Sequence, residues 1–304
     1  AHTLLIPELM PHFVDILSST PIDKWGAGKL LEVANTGWLE ARSFERLRFG
    51  RIHETISDND LAAILTAVSK LDNGIFSAIE ILGMRFFIGR NNAYVPQEIL
   101  KKFGRTAIRN IFSLAKDDTS HRQRLGLNGI VEQCLTDTAP QNEIREIVDL
   151  LCEGLTSYRI FRSDITKIIS RLVKNFPELV LSRVLNSGDK QDYLTYYLFK
   201  DSFSRQVSYL NDVPIERILA WCSNDEARIQ MVAKSISAYK PLPQDPETEE
   251  KLRESTLTEH ALALLDVAQD KLAIANEIYD DICPNSWSGL RADIMEERAA
   301  AFSV

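Results

Sequence analysis

The sequence lacks most of the signals by which a chain declares its chemistry. It has no run of about 18 apolar residues, so no membrane-spanning helix is expected. Its four cysteines, Cys134, Cys152, Cys222 and Cys283, include no C-x-x-C pair. That removes the zinc and thioredoxin-like signatures and leaves buried, reduced thiols of a cytoplasmic protein as the expectation. The five histidines, His2, His12, His53, His121 and His260, show no metal-ligand spacing and no H-E-x-x-H. Trp25-Gly26-Ala27-Gly28-Lys29-Leu30 has two glycines and a lysine, yet it lacks P-loop spacing, the following Ser/Thr and a preceding strand. Ser286-Trp287-Ser288-Gly289 is not the G-x-S-x-G nucleophile elbow.

Basic residues leading into an apolar core are also missing at the N-terminus, so no signal peptide is read there. The chain starts at Ala1 rather than Met, which suits a processed product or a piece of something longer. Period-2 alternation is scarce as well. The expectation is therefore a non-enzyme without cofactor or metal. An all-α enzyme, with a site assembled across helices, stands as an alternative.

What the sequence does have is helical spacing. Leu61, Ile64, Leu65, Val68 and Leu71 fall on one face, as do Ile144, Ile147, Val148, Leu151 and Leu155. Ile165, Ile168, Ile169, Leu172 and Val173 repeat the pattern, and so do Ile215, Ile218, Leu219 and Cys222. Stops separate the runs. Ser57 to Asp60 offers N-cap oxygens, Asp72-Asn73-Gly74 offers a left-handed turn, and Pro214 sits where a first helical turn tolerates proline. Thr256 and Glu259 have capping-box spacing. The reading is an all-α chain of about fifteen helices joined by short connections.

Net charge is −8, which argues against wholesale nucleic-acid binding. The charge is uneven. Residues 81–124 carry nine Lys/Arg against three acids, whereas residues 241–304 carry five against fourteen. The central excess makes Arg85, Arg90, Lys101, Lys102, Arg105, Arg109, Arg122 and Arg124 the candidate partner surface.

One helix-turn-helix segment adds a resemblance. Ile218 to Cys222 ends a helix, Ser223-Asn224 turns, and Asp225, Ala227 and Arg228 open the next. This resembles the HEAT repeat. Asp118 and Arg122 resemble it more loosely. The ending, Pro284 to Phe302 with Trp287 and Gly289, reads as a polar terminal cap. It also resembles the helical-repeat C-terminal regions of large bacterial multidomain defence proteins of the STAND NTPase type.

The resemblance implies an α-solenoid of stacked antiparallel helix pairs with degenerate repeats, HEAT- or armadillo-like. It is expected to form one array over residues 1–304, weakest at 241–250. Such arrays present long concave surfaces. The expected function is a non-catalytic scaffold, or the sensor or regulatory module of a larger protein, binding a protein or peptide. A nucleic-acid-binding solenoid using the same basic segment is the alternative.

Overall fold

The computed structural model describes residues 9, 12–19, 21–49, 51–90, 94–113, 121–162, 165–200, 208–241 and 255–282. Sixteen α-helices lie among them, with a single two-stranded pair of β-strands. Two compact units divide the chain, 1–175 and 176–304.

The first unit holds α1 (Phe13–Ser18), α2 (Lys24–Thr36), α3 (Ala41–Phe44), α4 (Ile52–Thr55), α5 (Asp58–Val68), α6 (Gly74–Arg90), α7 (Glu98–Ser113), α8 (His121–Cys134), α9 (Gln141–Thr156) and α10 (Thr166–Asn175). Helix neighbours alternate. α2 packs on α5, α5 on α7, and α7 on α9. On the other side the 3₁₀ turn Glu45–Phe49 and α3 pack on α6, α6 on α8, and α8 on α10. α6 touches both sets, meeting α5, α7 and α8. That explains why its sequence is apolar nearly all round.

The expected stripes supply much of the core, with Leu71 and Leu219 left half-buried. Leu61, Ile64, Leu65 and Val68 of α5 are fully buried, as are Ile144 and Ile147 of α9 and Ile168 and Ile169 of α10. Each such side chain contributes about 1.5–3 kcal/mol.

Caps and turns fall where local chemistry places them. Ser57 caps α5 by accepting from the Asp60 N–H. Asn73 takes the left-handed conformation at φ 55°. Gly74 then opens α6 because a Cβ there would lie 1.8 Å from the Val68 carbonyl oxygen. Gly104 serves packing instead. A Cβ on it would sit 2.2 Å from Cys134 Sγ, so α7 and α8 close directly on one another. Gly104→Ala is expected to cost about 1–3 kcal/mol. Cys134→Ala in the same chain should restore part of that loss; urea midpoints of the two variants check it.

The second unit holds α11 (Pro177–Leu185), α12 (Gln191–Phe199), α13 (Ile215–Cys222), α14 (Glu226–Ser235), β1 (Tyr239–Pro241), β2 (Ser255–Leu257), α15 (Glu259–Val267) and α16 (Lys271–Ile282). Here α11 packs on α13 and α13 on α15, while α12 packs on α14 and α14 on α16. The turn between α13 and α14 carries Ser223 and Asn224 in left-handed conformations. Asp225 caps α14, accepting from the Arg228 N–H at 3.2 Å. Arg228 reaches back to donate to the Trp221 carbonyl at 2.7 Å.

Two local expectations change. The cap of α15 is Thr258, which accepts from the Ala261 N–H, not Thr256. Thr256 lies in β2, opposite Lys240 of β1. This antiparallel pair flanks residues 242–254; an isolated antiparallel bridge also joins Lys200 and Ser208. Residues 242–254 themselves lie outside the described residues, as do 283–304 with the cap reading placed on Pro284 to Phe302, and Asp118.

Polar ties join neighbouring helices at a regular sequence interval. Arg105 pairs with Glu143, Arg109 with Glu146, Asn175 with the Leu135 carbonyl, Arg217 with Glu178, and Trp221 with Ser182. All five span 37 to 40 residues. The helices α2, α5, α7, α9, α11, α13 and α15 begin at Lys24, Asp58, Glu98, Gln141, Pro177, Ile215 and Glu259, about every 40 residues.

Candidate functional site

The basic segment was expected to be an open surface. The structure shows its central arginines held in ion pairs within the first unit, Arg105 deeply buried and Arg109 part-exposed. Arg85, on α6, donates from Nη2 to Asp58 Oδ1 at 2.9 Å and from Nη1 to the His53 carbonyl. Asp58 is 3% exposed and also accepts from Tyr94 Oη at 2.6 Å and the Gln97 N–H at 2.9 Å. The Arg85 guanidinium lies over the Tyr94 ring, 4.3 Å from its centre. Burial and the hydrogen bond to Asp58 push the Tyr94 phenol up to about 12. A buried carboxylate that accepts three donors and faces a guanidinium needs no further partner to be stable.

Arg105 is buried more deeply still, 1% exposed, on the face of α7 that meets α9. Its Nε bonds Glu143 and its Nη2 bonds Glu98. Burial alone would lower its pKa, but the hydrogen bonds to Glu143 and Glu98 more than offset that and raise it. Arg109 pairs with Glu146 and with Thr106 Oγ1. The side chains of Arg90, Arg122 and Arg124 lie outside the described residues. Of the expected set, Lys101 is half-buried and Lys102 is exposed.

Lys102 borders a feature the sequence did not single out. An open groove of about 540 Å³ runs over α5 between α2 and α7. Its floor is Ala62, Ala63 and Thr66, and Ile75, Ile99 and Phe103 form its apolar walls. Among the described residues, Lys70 and Lys102 are the charged ones lining it, and no carboxylate lines it. Neither lysine forms an ion pair among the described residues. The sequence hides the groove because its lining comes from four helices, α2, α5, α6 and α7, spread over about 80 residues. Small residues on an exposed helix face carry no signal alone.

The groups that could do chemistry are differently placed. His53 is 4% exposed, and neither ring nitrogen reaches a hydrogen-bond partner. Burial, then the Arg85 charge, lower its pKa to about 4. It borders a cavity of about 200 Å³ with Glu54, Arg85, Ile88, Gly89 and Tyr94. His260 is buried with Nε2 2.8 Å from the Val213 carbonyl, and His12 lies exposed near Asp15.

Cys134, Cys152 and Cys222 are buried and in no disulfide. Burial pushes Cys134 up to about 12 and Cys222 up to about 11, far from the thiolate range that nucleophilic work needs. No group of three metal-ligating side chains occurs among the described residues. Trp25 to Leu30 lies within α2, so its glycines form no phosphate loop. No helix among the described residues is long and apolar enough to cross a membrane.

Tyr158 and Phe161 stand exposed where α9 ends, Tyr158 at φ 57°. The Tyr193 to Phe199 run is α12, which buries Leu194, Leu198 and Phe199, with Tyr193 stacked on Tyr197 at 4.4 Å.

No family model matches the chain, and neither a curated protein nor a solved structure shows significant similarity to it.

Proposed function

We propose that the chain is a non-catalytic interaction scaffold, built as α-solenoid segments of stacked helix pairs, that receives a protein or peptide partner in the groove over α5. Two observations support the solenoid reading. From α5 to α10 and from α11 to α16, helices pack on the one two positions along the chain. The polar ties recur at 37 to 40 residues, the interval expected of one stacked pair per repeat. The observation that carries the binding reading is the groove, an open apolar channel bordered by two lysines that have no ion pair among the described residues. Regulation within a larger cytoplasmic protein is the setting this reading favours. Its nucleic-acid alternative loses support because Arg85, Arg105 and Arg109 are committed to internal pairs.

Thr66→Trp tests the binding reading. Thr66 is an exposed α5 residue on the groove floor, so the indole fills the channel without entering the core. Affinity capture from the source cells with the wild-type chain should recover a partner that the variant loses, while the helical circular dichroism of the two stays the same. Equal recovery by both would sink the groove as the binding surface.

A further inference from the structure

We infer that the groove over α5 selects acidic peptides that carry apolar anchor side chains. The inference rests on the scaffold reading and names the partner's chemistry.

The apolar half of the argument comes from the walls. Ile99 is 42% exposed and stands at the rim, and Phe103 stands one helical turn further along α7. A large aliphatic side chain left this open gains burial when an apolar partner residue covers it. The charged half comes from the rim. Lys70, just beyond the end of α5, and Lys102, on α7, face the same channel from two elements. Among the described residues no acid lines the channel to neutralise them. A carboxylate entering there meets two ammonium groups beside a low-dielectric floor, whereas a basic ligand meets repulsion. Single-stranded nucleic acid fits less well, since it asks for a continuous basic track beside stacking rings. Here the arginines that would extend such a track, Arg105 and Arg109, are tied to Glu143 and Glu146.

The test uses the intact chain as bait for a displayed library of random linear peptides, with Lys70→Glu/Lys102→Glu and Thr66→Trp as companion variants. The three residues changed, Lys70, Lys102 and Thr66, are all exposed, so both variants keep the core. Enriched peptides are expected to be net acidic with at least one large apolar residue. The lysine double variant should bind them about tenfold or more weakly at low salt, with the gap narrowing as salt rises. Thr66→Trp should weaken them at every salt concentration.

Neutral or basic winners that Thr66→Trp still blocks overturn the acidic preference and leave the groove as a binding surface. Acidic winners held equally by all three proteins overturn both, because they bind elsewhere. An absence of enriched peptides overturns the inference, while the capture experiment decides the scaffold reading separately. A labelled oligouridylate that binds wild type and not the lysine variant assigns the groove to nucleic acid and overturns it too.

Discussion

Arg105→Ala is expected to destabilise the protein by about 3–5 kcal/mol. The guanidinium is 1% exposed and holds two carboxylates, Glu98 from its own helix and Glu143 from α9. Removing it frees Glu98, which at 63% exposed returns to water. Glu143 is only 14% exposed and is left charged without its partner. The cost is the uncompensated charge more than the lost bond. It follows that Arg105→Met with Glu143→Met should recover much of the loss, since apolar side chains of similar volume can replace a buried ion pair. Urea unfolding, with amide protection followed in α7 and α9, reads both variants. An Arg105→Ala midpoint indistinguishable from wild type would show that the pair contributes nothing.

The second large effect is a dependence on pH. His53 has a pKa of about 4 in the folded protein and an ordinary value of 6.5. Between those values the unfolded chain binds a proton that the folded protein excludes. Stability is therefore full above pH 6.5 and falls as pH drops through the window toward 4. The loss is about 3 kcal/mol, from roughly 1.4 kcal/mol per pH unit for one proton. The cause is burial first and the Arg85 guanidinium second, against a weaker pull from the backbone at Leu47 and Arg48. Carboxylates titrate nearby in pH, so the difference between wild type and His53→Leu is the informative quantity. That difference should slope by about one proton between pH 4 and 6.5; parallel curves would refute the buried neutral imidazole.

The sequence carried the helices because their burial is one-sided. The α5, α9 and α10 stripes repeat every three or four residues, and Ser57 and Asp225 cap where a short polar side chain precedes an apolar run. It did not carry the fate of the charges. Lys102 and Arg105 are three residues apart on α7, yet one is exposed and the other buried, because α9 covers only one face. Their difference is set by a neighbour 38 residues away, Glu143. A signal did exist: Arg105 and Arg109 match Glu143 and Glu146 at nearly equal offsets, and Arg217 matches Glu178 at 39. Charge counted by segment blurs that correspondence into an apparent basic patch. The groove was hidden for the same reason, since no single helix contains it.

The short reach of the polar ties has a mechanical consequence. Arg105 to Glu143, Asn175 to Leu135 and Arg217 to Glu178 each fasten one helix pair to the next. A pull on such a chain loads one fastening at a time, as a zip parts tooth by tooth. Each yielding layer would pay out about 40 residues, on the order of 140 Å of extended chain. Within each unit, the stacking proposed above would thereby give way in instalments under tension, keeping the remaining helix pairs intact while the first ones lengthen.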